Sequence, residues 1–543
     1  MQGLKKGIID TLTRYFPSDQ TLVKNCTVTP LISGPLYFKT LKQDVLSLTG
    51  KGSKNPYIYI AGWWFDPQFS LEGSKGSVRL VDALKQASRD GVDVRVLAWV
   101  MAPNTLQNYA ARSSLDVSLL KVNHDTMSFV NELRQEPTLK DKVVLNILSH
   151  PAGAAHAKMA IIGNDDDAVG FTGGIDMQSG RYSDNWHDIA VRTKGPIVQG
   201  FYKFFSGMWE EVRKRQPWSL SIVEQRDATR SKVILPGITC FSHTSTTLSL
   251  LQTRLIQSKS SSTSNMDVLN LQTLPSFNFP PVFNMLKYND QSLFPVNQPL
   301  SYAPKGDFQV KQAWQKGISG AQNYIYMEDQ SLYSTEVFDW INQAVKQNPN
   351  LRVVLLTGQT DPNDTPNDLS SKLFNVAIKN YLLKDLNGDQ IKRIGIFSHQ
   401  QKVIHAKTMI IDDQWATIGS ANCMQRSLYT DIEHGIAFND EDGKALVGYR
   451  MDLWNTHLPK IAPDMNAALD SWFALPVKGG SPNPNAAILR LALPLSDTTL
   501  NSREQVLADE VFEPDSRNEW GTRLLAQGVN DALSNSANVS QDE

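Results

Sequence analysis

Two short stretches of this chain hold residue types that together could cleave or transfer a phosphoryl group. Residues 404–435 read IHAKTMIIDDQWATIGSANCMQRSLYTDIEHG and contain His405, Lys407, Asp412, Gly419 and Ser420. In an extended strand, side chains two apart share a face, so His405 and Lys407 should project together. An imidazole beside an ammonium, with a small Gly-Ser turn close by, suits a tetrahedral anion such as a phosphate. Residues 155–179 read AHAKMAIIGNDDDAVGFTGGIDMQS and repeat the set. His156 and Lys158 match His405 and Lys407, MAII matches TMII, and Gly173-Gly174 stand where Gly419-Ser420 stand. A single H-x-K pair is as easily a surface pair on a strand. Two matching constellations 249 residues apart are hard to obtain by chance.

A phosphodiester needs a nucleophile, a proton donor for the leaving alkoxide, and cations for the phosphoryl oxygens. Two histidines can fill the first two roles if their environments push their pKa values apart. Lys158 and Lys407 would supply the positive charge, so neither a metal nor a cofactor is expected. Each imidazole also needs an acceptor on its other nitrogen to fix the tautomer. Two acids lie at similar distances downstream: Asp188, 32 residues past His156, and Glu433, 28 past His405. The expected pairing is crossed, with Glu433 on His156 and Asp188 on His405. Asn422, the Gly419-Ser420 pair, Gly173 and Gly174 are expected around the phosphate oxygens, while Asp176 reads as structural. His187 and His434 read as structural or rim residues. Trp63 reads as core; Trp64, Phe65 and Tyr333 read as either core or pocket lining.

The two copies differ in one respect. Asp412, a fold-stabilising member of the second set, is replaced by Gly163 in the first. His156 to Gly173 spans 17 residues against 14 from His405 to Gly419, so three residues have been added in the GNDDD turn. Counting back from Gly173 makes Asp166 the candidate replacement.

The elements that must carry these residues also come twice. YIYIAGWWF (57–65) is a strand and 80–91 a helix ending at Gly91; VDVRVLAWV (92–100) and KVVLNILS (142–149) are further strands. The first H-x-K hairpin follows, then a polar loop and strand (181–193) and a helix with an aromatic face (195–215). YIYMEDQSLY (324–333), 336–350, LRVVLLTG (351–358), IKRIGIFS (391–398), the second hairpin, DIEHGIAF (431–438) and 443–457 repeat that order. The expected fold is α/β: two similar lobes with mixed, largely parallel sheets, joined as a pseudo-twofold bilobal unit. The expected division is a first catalytic lobe at 1–220, a Ser/Pro-rich connecting segment at 221–300, a second catalytic lobe at 301–475, and a tail at 476–543 that wraps the core and ends in disorder.

The 543 residues carry a formal net charge of −2, with 41% hydrophobic content, so nothing in the charge balance points to nucleic acid. Cys26, Cys240 and Cys423 are too far apart for a disulfide framework or a CxxC metal site. Near the start, Asp10 and Arg14 interrupt any signal-peptide apolar region, and Leu4, Ile8, Ile9, Leu12 and Phe16 form an amphipathic helical pattern instead. No apolar run approaches 18 residues. Synthesis in the cytoplasm, with any export by a route other than Sec, is the expectation.

Taken with their flanks, these motifs resemble the phospholipase D superfamily, most closely its eukaryotic-type phospholipases. The resemblance rests on the two HAK motifs, YIYIAGWWF, the block GGIDMQSGRYSDNWHDIAVRTKGPIV, YIYMEDQSLY (where the family usually has Glu-Asn-Gln) and GSANCMQRSLYTDIE, and runs from about residue 35 to 460. It implies a metal-independent phospholipase D acting at a phospholipid bilayer surface and releasing phosphatidate and a free head group. It further implies that His156 forms a phosphohistidine, while His405 protonates the leaving alcohol and then activates water. Cardiolipin- or phosphatidylserine-synthase-like transferases and nucleases of the same superfamily share these motifs, and a catalytically silent lipid-binding protein would also keep the fold. Members without lipid-targeting domains include secreted bacterial toxins, which implies an antibacterial effector with secretion machinery and a cognate immunity protein as partners.

Overall fold

In the computed structural model, the described residues are 12–509, except 74–76, 101–116, 147, 149, 151–152, 216–218, 221–240, 243–247, 252, 261–265, 277–286, 289–290, 293–298, 359–367, 441–442, 459, 478–486, 494 and 496–497. The first half forms β1 (Val23–Leu31), β2 (Tyr57–Gly62), β3 (Asp93–Trp99), β4 (Val143–Asn146), β5 (Met159–Gly163), β6 (Ala168–Gly173), β7 (Trp186–His187) and β8 (Ala190–Lys194). The second half forms β9 (Met266–Leu274), β10 (Tyr324–Glu328), β11 (Arg352–Thr357), β12 (Ile394–His399), β13 (Val403–Ile404), β14 (Thr408–Ile411), β15 (Trp415–Gly419), β16 (Glu433–Asp440) and β17 (Ile488–Arg490).

All of these except β7 and β13 lie in one 16-stranded sheet in the order β17-β12-β11-β10-β14-β15-β16-β9-β1-β8-β6-β5-β2-β3-β4, and the sixteenth strand, Asp307–Phe308, pairs off this path with the end of β9. Read outward from the β9–β1 pair, the two halves have the same topology. β9 therefore corresponds to β1, and it lies inside the segment expected to be a connector. Its sequence, MDVLNLQTL, is apolar enough to be buried on both faces, and eight of its residues pair antiparallel with β16. The structural repeat of the second half thus begins at Met266 rather than at residue 301. The Ser-rich tract beyond Ser260 and the Pro-rich 277–283 lie outside the described residues, as do Cys240 and residues 510–543.

The sheet is mixed, as expected, but parallel pairing within it is confined to three neighbouring strands in each half, β2-β3-β4 and β10-β11-β12. The H-x-K hairpins and the strands between them pair antiparallel. The reason lies in connection length: β5-β6 and β14-β15 are joined by tight turns, which permit only antiparallel pairing. The fully buried strands Tyr57–Gly62 and Tyr324–Glu328 are covered by helices on both faces. Among these helices are Gly34–Thr49 and Thr335–Gln347, both started by a serine cap. The helix Val198–Lys214 lays Phe201, Tyr202, Phe204, Phe205, Met208 and Trp209 into the core, which is its expected aromatic face. After Pro476 the chain returns along the sheet edge, and β17 pairs with β12. Among the described residues, no helix is long and apolar enough to cross a membrane.

Candidate active site

Each H-x-K motif lies immediately before a buried strand, and each is hydrogen-bonded to the other half of the chain. The backbone N–H groups of His156 and Ala157 donate to the Ile432 carbonyl at 2.9 and 2.8 Å, and the Ile432 N–H donates back to Ala154. On the opposite side, β13 pairs parallel with β7, and the His405 N–H donates to the His187 carbonyl at 2.8 Å. Each motif is therefore laid beside the acid-bearing segment of the other half. The side chains follow: His156 Nδ1 lies 3.1 and 3.2 Å from the Glu433 oxygens, and His405 Nδ1 lies 2.7 Å from Asp188 Oδ2. The pairing is crossed.

The two acids are held differently. Glu433 accepts from the hydroxyls of Ser420 and Ser427. Asp188 accepts from the Ile189 N–H at 2.8 Å and packs against Gly174, where a Cβ would come within 2.2 Å of Asp188 Oδ1. Ser420 and Gly174, expected on the phosphate, thus serve the acids behind the imidazoles. A buried carboxylate needs donors and close backbone, and the glycine-rich turns provide both. Gly173 ends β6, with its N-terminal partner Thr172 donating to the Lys158 and His434 carbonyls. Asn422 is buried, and its Oδ1 has no hydrogen-bond partner among the described residues.

Lys158 and Lys407 each donate to the carbonyl of the histidine two residues earlier, at 3.0 and 2.6 Å. Their neighbouring acids come from different places. Asp176, from the Gly-Gly-Ile-Asp turn, sits 3.7 Å from Lys158. In the second half Asn422 takes that place, and the acids that act on Lys407 are Asp188 first and then Asp329, just past β10. Burial pushes the Lys407 ammonium down to about 8 and Lys158 down as well. Burial also pushes the Asp188 and Glu433 carboxyls up.

Both imidazoles are driven well below their ordinary value, first by burial and then by the adjacent lysine. Burial beside the lysines thus disfavours the charged form of both histidines. Lys158 and Lys407 lower both of them. A phosphate entering between the lysines would add the negative charge that lets one imidazole hold a proton.

Aromatic rings wall the site. Trp63 meets the His156 ring edge-on at 5.8 Å and lies 5.4 Å from Lys158 Nζ, so it is a site residue rather than plain core. Trp186 lies 5.0 Å from the His405 ring and stacks on the Arg181 guanidinium at 3.7 Å. Phe65 and Tyr333 are core. Arg181 and Trp186 were visible in the sequence only as members of a longer motif, because neither repeats in the second copy.

Asp412 does not reach this centre. It sits past the far end of β14, about 23 Å of extended chain from His405 at 3.3 Å per residue. There its carboxylate accepts from the N–H groups of Gln322, Asn323 and Tyr324 and from the Tyr15 hydroxyl. In the first half, Gly163 occupies the matching position, and a Cβ there would meet the Tyr57 hydroxyl at 2.5 Å. Asp166 does not replace it: that residue is exposed on the turn, and the contact to Asn55 is made by Asp165 at 2.7 Å. His187 and His434 are buried, not rim residues.

Residues 51–359 match the family model described as Phospholipase D, and residues 315–449 match the one described as Cardiolipin synthase, PLD-like domain. The chain is similar to phospholipase D beta 2 of Arabidopsis thaliana, 20% identical over 77% of this chain and 56% of the relative. It is similar to phospholipase D1 of Saccharomyces cerevisiae, 22% identical over 76% of this chain and 27% of the relative. It spans between 9% and 62% of the length of the curated relatives it matches. Among solved structures, it is similar to phosphatidylserine synthase from Haemophilus influenzae, 11% identical with a TM-score of 0.49, over 87% of this chain and 97% of that one.

Proposed function

The chain belongs to the phospholipase D superfamily, and from that premise we propose that it hydrolyses a glycerophospholipid phosphodiester through a phosphohistidine. The observation that carries this reading is the crossed exchange, in which each H-x-K histidine is oriented by a buried acid from the other half. Such an exchange makes one site from two repeats, with Lys158 and Lys407 both inside it.

The steps follow from the geometry. The Nδ1–H to acid bonds leave Nε2 of each imidazole free for chemistry. The substrate phosphate enters between the two ammonium groups, which offset its charge as it becomes more negative in the transition state. His156 Nε2 attacks phosphorus, a P–N bond forms and the P–O bond to the head group breaks. His405, protonated once the phosphate is bound, gives its proton to the departing alkoxide. Neutral again, it takes a proton from water, whose oxygen attacks phosphorus and displaces His156. The products are phosphatidate and the free alcohol.

Transfer to an alcohol is the second reading, favoured by the match of residues 315–449 to the cardiolipin synthase description. Lipid mass spectrometry of mixed bacterial phospholipid vesicles, with and without added glycerol, separates the two. Phosphatidate that forms with wild type and not with His156→Ala supports hydrolysis; new phosphatidyl esters replace it with transfer; no lipid change in either case refutes both. The finer role of an antibacterial effector, with secretion machinery and an immunity protein, is tested by expression inside a bacterial host. Growth arrest by wild type and not by His405→Ala is expected, and equal growth refutes it.

A further inference from the structure

Behind the His405 half of the site lies a second cluster that the reaction above does not use. Glu328, fully buried at the end of β10, receives His187 Nε2 on one oxygen and His457 Nε2 on the other, both at 2.8 Å. The Tyr326 hydroxyl donates to the same carboxylate. Burial alone would push Glu328 up, but the two imidazoles outweigh it and hold the acid far below the ordinary carboxylate range. Its three donors come from three elements: β7 of the first half, β10 itself, and the chain just past the helix Lys444–Asn455.

The first of those elements is the one that reads His405. The His187 carbonyl takes the His405 N–H, and the next residue, Asp188, takes His405 Nδ1. Fixing the His187 ring therefore fixes the peptide that sets both His405 contacts. The residue that follows Glu328 is Asp329, which acts on Lys407 after Asp188. The His156 half has no such device: Ile432 stands where His187 stands, and Ala61 where Glu328 stands, by strand register.

Resting on the functional reading above, we propose that Glu328, with His187 and His457, is a cross-half clamp that positions Asp188 and His405 without touching substrate. Two histidines and a glutamate are also a ligand set for zinc. Here each imidazole already contacts its own carboxylate oxygen at hydrogen-bond distance, and a tyrosine hydroxyl takes a further lone pair. That arrangement satisfies the acid with protons alone.

The test compares kcat and KM on bis(4-nitrophenyl) phosphate for wild type, Glu328→Gln, His457→Gln and His457→Leu. Gln at 328 turns one acceptor into a donor facing an N–H. Displacing a reacting group by about 1 Å costs on the order of 100-fold in rate. Glu328→Gln and His457→Leu should therefore lose roughly 10- to 100-fold in kcat with KM within about twofold. His457→Gln, which keeps a donor, should recover most of that loss. Unchanged kcat in both disruptive variants, or a change confined to KM, overturns the clamp. Stoichiometric metal in the purified wild type, with loss of activity on chelation, also overturns it in favour of a metal site. If Glu328→Gln does not fold, the His457 pair decides. Should wild type turn over neither this ester nor phospholipid vesicles, the functional reading fails instead. The clamp is then read from the Nε2–H resonances of His187 and His457, whose slow exchange in wild type and loss in Glu328→Gln would sustain it, and whose fast exchange in wild type would end it.

Discussion

Replacing Asp329 with Asn should stabilise this protein above pH 7 and leave it nearly unchanged near pH 4. Asp329 is buried, accepts from the Ser331 and Cys423 N–H groups at 2.7 and 2.9 Å, and stands where the resembling family usually has Asn. Burial raises its carboxyl from 3.8 to about 7, against the pull of Lys407 and the two N–H donors. Because the folded value lies above the unfolded one, the native state holds this proton more tightly. The resulting stability is complete below about pH 4 and is lost as pH rises through about 7. The rise from 3.8 to about 7 is roughly three units, and at 1.36 kcal/mol per unit the loss approaches about 4 kcal/mol. Asn cannot titrate and keeps an acceptor for the N–H donors, though a neutral oxygen binds them more weakly. A net gain of about 2 kcal/mol at pH 8 is therefore expected. Thermal unfolding of both proteins from pH 4 to pH 8.5 measures it: the melting difference, variant minus wild type, should grow with pH. A flat difference, or a variant less stable at pH 8, would refute the reasoning. Removing this anion should also lower Lys407 from about 8, moving the alkaline limb of turnover to lower pH.

Asp188→Asn and Glu433→Gln should each cut kcat by roughly 10³- to 10⁴-fold, as expected when a histidine loses its orienting acid; steady-state kinetics on folded variants checks this. Gly174→Ala places a methyl within 2.2 Å of Asp188 Oδ1. It should push the acid off His405, with a loss of about 100-fold or more in kcat read by the same assay. Asp412→Ala orphans three backbone N–H groups and the Tyr15 hydroxyl. It should cost on the order of 3–5 kcal/mol of stability, seen as a lowered melting temperature.

The repeated H-x-K strands, the strand and helix order and the crossed acids were legible in the sequence, because each depends on local pattern or on spacing that occurs twice. The duplicated alternation of Tyr57–Gly62 and Tyr324–Glu328 marks two α/β halves without any knowledge of how they meet. Other features depend on contacts between residues hundreds of positions apart, and sequence pattern carries little of that. Met266–Leu274 looked like part of a linker because its partners, Glu433–Asp440 and Val23–Leu31, are distant in the chain. Ser420 looked like a phosphate ligand until the fold placed Glu433 against its hydroxyl. The two histidines are a matched pair in the sequence, and only the fold shows that burial and the lysines lower both. His187 read as structural or as a rim residue, and only the tertiary arrangement shows that it shares Glu328 with His457 across the halves. The sequence by itself determined which chemical groups exist and on which strands they lie. The tertiary structure decided which acid faces which base and what charge each can hold, because desolvation and hydrogen-bond partners are properties of the packed interior.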